Sequence, residues 1–360
     1  MLYTDICIIG AGPAGLAAAI EAAKSGAKVT IVDENHLAGG QLFKQIHKFF
    51  GSSAHHAGIR GITIGEKMME EALELGVEMR LRTVAYGIFE NGIIGINDLD
   101  LGEIGQINAK KIIIATGALE NALPFKGWTL PGVMGAGAAQ TLMNIHRLKP
   151  GNNALMVGTG NVGLIVSYQM LQAGVNVKAI IEAAPIITGY HVHARKVMRA
   201  GVPIYTYTTI QEAKGVNCVE TATIKSLKGD NQKQELDVDL ICLAVGLNPL
   251  TELLRLAGCE FIYNKCLGGY VPAHDLDMRT SNPNVYVAGD SSGVEEASSA
   301  MEEGRIAGIA AAESLGYIDK NIARTMKDEY GSRLDQLREG PFGERRRAAK
   351  SEILRGERYV

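Results

Sequence analysis

Two short glycine-rich runs have the residue types and spacing to do chemistry. Residues 6–15 read ICIIGAGPAG and residues 154–163 read ALMVGTGNVG. Gly10, Gly12, Gly15 and Gly26 recur with the same spacing as Gly158, Gly160, Gly163 and Gly174. In such a run the first glycine makes a tight turn, the second lets the backbone approach a pyrophosphate, and the third lets a helix pack closely on a strand. The helix start then faces the phosphates with its unpaired N–H groups. Pro13 and Ala14 in the first run, and Asn161 and Val162 in the second, fall at those helix starts. An acid closing the next strand would accept hydrogen bonds from a ribose. Asp33, with Glu34 beside it, holds that place in the first copy; in the second the place is Ile181 and the acid, Glu182, comes one residue late. One run alone says little, but two in register predict two dinucleotide sites. Neither strand end is followed at once by Arg or Lys, which favours NAD or an adenine nucleotide over NADP at the second site.

Each run needs a strand before it and a helix and strand after it. Leu16–Lys24 and Leu164–Ala173 read as helices, and Lys28–Val32 and Val177–Ile181 as the strands that follow. A short strand near Glu78–Thr83 precedes a hairpin over Val84–Ile107, with turns expected at Asn91-Gly92 and Asn97-Asp98. Lys111–Ala115 reads as a buried strand ending in Thr116-Gly117. Further strands are expected around Pro203–Tyr207, Ala222–Leu227 and Leu240–Val245, and Asn284–Ala288 is another, closing in Gly289-Asp290. A helix over Ala297–Leu315 would return the chain to the first domain. The fold class is therefore α/β: two Rossmann-like dinucleotide-binding domains, the second inserted in the first, plus a C-terminal helical tail. The expected boundaries are 1–122 with 268–317 for the first domain, 123–267 for the second and 318–360 for the tail. The tail is charged, broken at Pro341-Phe342-Gly343, and from Asp319 to Tyr359 too poor in apolar residues for a core of its own. Leu334, Leu337 and Phe342 are expected to cover a partner subunit or a second copy.

Composition excludes several classes. Lys and Arg total 36 against 39 Asp and Glu, a net charge of −3 without the basic excess that nucleic acid demands. Forty-three of 360 residues are glycine, well above the usual share of about 7%, so many positions turn sharply or approach something closely. The longest uncharged stretch, Pro150–Val177, holds Asn152, Asn153, Asn161, Gln169, Gln172 and Asn176 and is not read as a membrane span. The start, Met-Leu-Tyr-Thr-Asp, lacks the basic region of a signal peptide. The five cysteines, Cys7, Cys218, Cys242, Cys259 and Cys266, form no C-x-x-C pair, so no disulfide framework, zinc or iron–sulfur site is expected within the chain. The expected location is the cytoplasm, at most peripheral to a membrane electron-transport chain.

Two dinucleotide units with Ala115-Thr116-Gly117 and a late Gly289-Asp290 resemble the two-domain flavoproteins of the pyridine nucleotide–disulfide reductase superfamily, over about residues 3–315. The resemblance implies FAD in the first unit and a nicotinamide or adenine nucleotide in the second. It also implies that Asp290 bonds the ribityl chain ahead of the helix opened by Ala297, that Gly39-Gly40-Gln41 passes beside the isoalloxazine, and that Val84 lies near the adenine through its backbone. The dithiol chemistry does not carry over: where reductases of the glutathione type place C-x-x-x-x-C, this chain reads GGQLFKQIHKFF. The strings ATGALENALPFKGWTLPGVMGAGAAQ, VYVAGDSSGVEEASSAMEEGRIAG and LREGPFGERRRAAK are similar to a narrower group. It comprises the FAD-binding α subunits of dye-linked proline and hydroxyproline dehydrogenases, opine oxidases and hydrogen cyanide synthase, with sarcosine oxidase α more distant. In that group a partner β subunit with its own FAD or FMN oxidises the amine, and the second nucleotide site can hold ATP or ADP. Longer members continue into a cysteine-rich 2Fe–2S segment, whereas no cysteine follows Cys266 here. A small separate 2Fe–2S protein would supply the cluster, or electrons would leave another way.

The leading expectation is thus an FAD-containing electron-transfer subunit of a hetero-oligomeric amine or amino-acid dehydrogenase or oxidase. One alternative is a self-sufficient NADH-dependent flavin reductase using Gly158, Gly160, Gly163 and Glu182; another is a non-catalytic flavin- and nucleotide-bound scaffold. The late position of Glu182 weighs against the reductase. No catalytic residue is singled out. Gln41, Lys44, His47, Lys48, His55, His56 and Arg60 could tune a flavin, though the plainer expectation for Gly39–Gly61 is a solvated loop. Adjacent His55 and His56 cannot readily share an ion, and no metal site is expected. His191 and His193, with Arg195 and Lys196, would line a phosphate mouth if extended; a surface loop is the plainer expectation. Trp128 is read as a hinge or subunit contact.

Overall fold

The computed structural model describes residues 1–49, 52–230 and 232–355. The chain folds into two compact units, one of residues 1–119 with 248–360, the other of residues 120–247. The first unit opens with β1 (Leu2–Ile9), α1 (Pro13–Lys24), β2 (Val29–Val32), α2 (Gly61–Glu74), β3 (Glu78–Arg80), β4 (Thr83–Ile88), β5 (Ile93–Asp98) and β6 (Glu103–Ile114). Its sheet runs β3-β2-β1-β6-β5-β4. β1, β2 and β3 are parallel to the end of β6, while β5 runs antiparallel against its start and β4 antiparallel against β5. The unbroken apolar run Ile6–Ile9 is buried, as a strand covered on both faces requires. Asn91 and Gly92 make the left-handed turn expected of them. The next turn falls after Asp98 instead of on Asn97-Asp98. Asp98 is the last ladder residue, and its Oδ1 accepts the N–H groups of Asp100 and Leu101, which starts the turn there.

The chain then passes through β7 (Ala118–Glu120) into the second unit: β8 (Val133–Gly135), α3 (Ala136–Asn144), β9 (Asn153–Val157), α4 (Asn161–Gln172), β10 (Asn176–Ile181), α5 (His191–Arg199), β11 (Ile204–Tyr205), β12 (Thr208–Lys214), β13 (Thr221–Ser226), β14 (Lys233–Asp237) and β15 (Leu240–Leu243). The parallel order β11-β10-β9-β15 repeats β3-β2-β1-β6 of the first unit, with β8 at the far edge of β15. An antiparallel β12-β13-β14 sheet stands where the first unit has β4-β5-β6, so the internal repeat includes this excursion as well. His191 and His193 lie on neither a strand nor a loop. They begin α5, whose buried His193, Ala194 and Val197 recur at helical spacing.

The return begins at β16 (Leu247–Pro249), which pairs with β7, and not at residue 268. α6 (Glu252–Leu256) sends Leu254 into the core of the first unit, and Cys259 joins it, so 248–267 belong there. β17 (Phe261–Asn264) and β18 (Gly269–Pro272) form a hairpin; β19 (Val285–Val287) adds to β6, and α7 (Ala297–Ser314) lies on α1. Gly304 and Gly308 make this last packing possible, since a β-carbon there would stand 2.1 Å from Ala14 O and 2.3 Å from Ala18 O. α8 (Lys320–Leu337) and α9 (Gly340–Arg355) form the tail, and Pro341 falls near the start of α9. Several of their apolar residues are used within their own unit: Tyr330 and Leu334 join its core, and Ala349 and Ile353 pack on Leu267 and Val271. The Phe342 side chain and Tyr359 lie outside the described residues.

Candidate functional site

The three glycines of each run do different work. Gly10 has φ +104°, and a β-carbon there would stand 2.3 Å from Ala115 O; one on Gly15 would stand 1.8 Å from Gly10 O. Gly158 against Ala244 O, at 2.2 Å, and Gly163 against Gly158 O, at 2.3 Å, repeat the pattern. These four are demanded by the protein's own packing. Gly12 and Gly160 are not: their φ values, −74° and −61°, suit any residue, and no heavy atom lies within 4 Å of the β-carbon each lacks. They cap α1 and α4, which start without a side-chain cap. A bare middle glycine ahead of uncapped helix N–H groups fits a pyrophosphate in both units.

The two acids sit in matching places. Asp33 Oδ2 accepts the N–H of Ala11 at 2.6 Å, and its Oδ1 accepts both N–H groups of Asn35. Glu182 Oε2 accepts the N–H and hydroxyl of Thr159 at 2.9 and 2.6 Å, and Oε1 the N–H of Ala184 at 2.9 Å. The late position of Glu182 in the sequence is absorbed by a register shift between Val177 and Ala179, where β10 carries one residue more than β9 opposite. The acid therefore closes the strand as Asp33 does, and its lateness is no argument against a nucleotide.

Beside Asp33 lies a cavity of about 290 Å³, lined in part by Gly10, Glu34, Val84, Tyr86 and Thr116. Its wall also includes Leu250, Leu253 and Leu256, which sequence reasoning missed because they follow the second unit in the chain. Thr116 is held there, donating its hydroxyl to Leu250 O at 2.9 Å, and Leu250 donates its N–H to Gly117 O. On the other side of the glycine turn, Gly39 donates to Ala11 O at 2.7 Å. Gly40, at φ +52°, comes so close that a β-carbon would stand 2.9 Å from Gly12 Cα, while Gln41 is exposed. Gly289, at φ +71°, stands against Ala14 in the same way, at 2.8 Å. Burial, with Glu303 and Glu296 adding, pushes the Asp290 carboxyl up to about 6; the Glu295 N–H it accepts works the other way. Ala297 follows as the first residue of α7, half-buried. All the first-unit candidates thus lie around the start of α1, the cavity beside it, or the turn into α7.

The segment 39–61 is not a solvated loop throughout. His55 is buried, with Nε2 2.9 Å from Glu302 Oε1 and Nδ1 3.0 Å from Ser52 Oγ, so it ties the segment to α7. His56 is half-buried, and burial with the nearby Arg305 holds its pKa below the usual value. Trp128 is 43% exposed. Among the described residues no group of three or more His, Cys, Asp or Glu could hold a metal, and no helix is long and apolar enough to cross a membrane.

All five cysteines are free. Residues 4–304 match the pyridine nucleotide-disulphide oxidoreductase family. The chain belongs to that family, as an FAD-dependent oxidoreductase without the disulfide pair. It is 29% identical to an opine oxidase subunit from Rhizobium meliloti (strain 1021), over 93% of this chain and 76% of that one. It is 27% identical to hydrogen cyanide synthase subunit HcnB of Pseudomonas protegens, over 92% and 75%. Among solved structures it shares its fold with L-proline dehydrogenase from P. horikoshii, at a TM-score of 0.72 and 22% identity, over 93% of this chain and 59% of that one.

Proposed function

We propose that the chain is the FAD-containing electron-transfer subunit of a heteromeric amine or amino-acid dehydrogenase or oxidase, serving a proline-, hydroxyproline- or opine-like substrate. The observation that carries this reading is the match along 93% of the chain to an opine oxidase subunit, in a protein with no cysteine pair to run a dithiol reaction. Bound FAD supplies one- and two-electron chemistry. Gly12 and the first N–H groups of α1, with Pro13 and Ala14, hold its pyrophosphate; Asp33 and Glu34 take the ribose, and the Val84 backbone the adenine. Gly40, Gln41, Asp290 and Ala297 position the ribityl chain and ring. Oxidation of the amine belongs to a partner β subunit with its own FAD or FMN, and a small 2Fe–2S protein or another carrier takes the electrons. The second unit holds NAD, ATP or ADP on Gly158, Gly160, Asn161, Val162, Gly163 and Glu182. The test is anaerobic mixing of the FAD-loaded chain with NADH and NADPH. A flavin band that does not bleach, but does on addition of a partner and its amine, is the expected result.

The alternative is an NADH-dependent flavin reductase, favoured by Glu182 taking in the second unit the place that Asp33 takes in the first. Rapid bleaching by NADH in the isolated chain selects it and overturns the first reading.

A further inference from the structure

Glu303, buried in α7, divides its carboxylate between two parts of the first unit. Oε2 accepts the N–H of Gly289 at 3.0 Å and the hydroxyl of Ser292 at 2.8 Å. Oε1 accepts Arg338 Nη2 at 2.7 Å and Lys350 Nζ at 2.8 Å. Lys350, 3% exposed, gives its other two protons to the carbonyl and hydroxyl oxygens of Ser292, at 3.1 and 2.7 Å. Arg338 also forks onto Glu295. A buried ammonium gives up much of its hydration, and an apolar side chain would dock a tail helix as well or better. All three donors of Lys350 are instead directed to Ser292 and to the carboxylate that holds Gly289. The turn they grip is held in left-handed backbone at Gly289 and bears the carboxylate of Asp290, with Glu303 and Glu296 nearby.

We propose that Lys350, together with Arg338, is a positioning residue for the flavin: the tail helices α8 and α9 fix the Gly289–Ser292 turn so that Asp290 meets the ribityl chain. The C-terminal tail is then part of the cofactor site. This inference rests on the proposed FAD site, and the experiment separates the two.

FAD dissociation constants are measured on the full chain for the wild type and for K350M, K350R and L334A, with melting temperatures alongside. K350M is expected to weaken FAD binding roughly tenfold or more, the scale of a lost charged hydrogen bond. K350R is expected to restore most of that loss. L334A loosens the same tail through its apolar packing; it is expected to lower the melting temperature yet keep FAD binding within about twofold. FAD affinity unchanged in K350M, or reduced as much in L334A, overturns the inference. Should K350M not fold, S292A removes only a hydroxyl from the same network; several-fold weaker FAD binding supports the inference and unchanged binding overturns it. A wild-type chain that takes up no FAD overturns the proposed function and this inference with it. A wild type that binds FAD beside an unaffected K350M overturns this inference alone.

Discussion

Glu182 accepts the backbone N–H of Thr159 at 2.9 Å, the bond that Asp33 makes to Ala11 in the other copy at 2.6 Å. In each unit the acid holds the turn between the first and second glycines, so the same carboxylate that would meet a ribose also shapes the phosphate loop. Glu182→Ala leaves the Thr159 N–H and hydroxyl without that acceptor. It is expected to cost the second unit about 1–3 kcal/mol and to weaken its nucleotide binding, with FAD uptake by the first unit unchanged. Calorimetry with separate FAD and nucleotide titrations checks this; equal loss at both sites would show that the acid does not act locally.

The glycines of one run separate folding from binding. Gly12→Ala meets no atom and suits the observed backbone, so the flavin-free protein should be as stable as wild type or gain about 0.4–1 kcal/mol. FAD binding should fall at least tenfold, because the β-carbon would enter the path proposed for the pyrophosphate. Gly10→Ala should fail the other way, destabilising the unit by several kcal/mol, roughly 3 or more, through a clash with Ala115 O at positive φ. Thermal melts of the two flavin-free variants, followed by FAD titration, decide the matter.

The cysteines should behave as isolated thiols. Cys7 and Cys242 lie inside buried strands; burial pushes the Cys7 thiol up to about 12 and raises that of Cys242 as well. Cys259 is buried and donates to Thr280 Oγ1 at 3.3 Å. Titration of the native protein with an aromatic disulfide at mildly alkaline pH is expected to modify Cys218 and Cys266, the exposed ones, and the rest only after denaturation. Replacing both exposed cysteines by serine should leave flavin reduction unchanged; a large loss would reopen thiol chemistry.

What the sequence made legible is what short-range geometry dictates. Gly10 and Gly15 must be glycine for β1 to turn into α1, and the same demand at Gly158 and Gly163 exposes the duplication. Asp33 and Glu34 could be assigned from the repeat itself, Val84 and Thr116 only through the family resemblance, and the structure places all four on one cavity. The boundary at 248 was hidden, because Leu254 reads as an ordinary apolar residue until the core it enters is known. His55 looked solvated because its partner, Glu302, is 247 residues away. Lys350 looked like one more charge on a polar tail for the same reason: its buried acceptors are on Ser292 and Glu303. A one-residue register shift at Val177–Ala179 has no sequence signature, and it alone made Glu182 seem misplaced.

If Asp290 holds the flavin as proposed, it sets flavin binding against stability, and pH separates the two. Burial, with Glu303 and Glu296 adding, raises its carboxyl to about 6 from 3.8, while the Glu295 N–H and Lys350 oppose them. Because the folded protein then holds a proton that the unfolded chain releases, the contribution of Asp290 to stability is fully present below pH 3.8 and is lost as pH rises through about 6. Above that pH the ionised form costs the flavin-free protein on the order of 1–3 kcal/mol. Asp290→Asn removes the cost. The flavin-free variant should melt about 2–8 °C above wild type near neutral pH, with the gap closing as pH falls below 6 toward 4. With FAD bound the order should reverse, since the amide is a poorer acceptor for a ribityl hydroxyl than a carboxylate. Melting curves of both proteins across that range, with and without FAD, test each half. A gap independent of pH would mean that Asp290 is not the titrating group. A variant that binds FAD as tightly as wild type would remove Asp290 from the cofactor site.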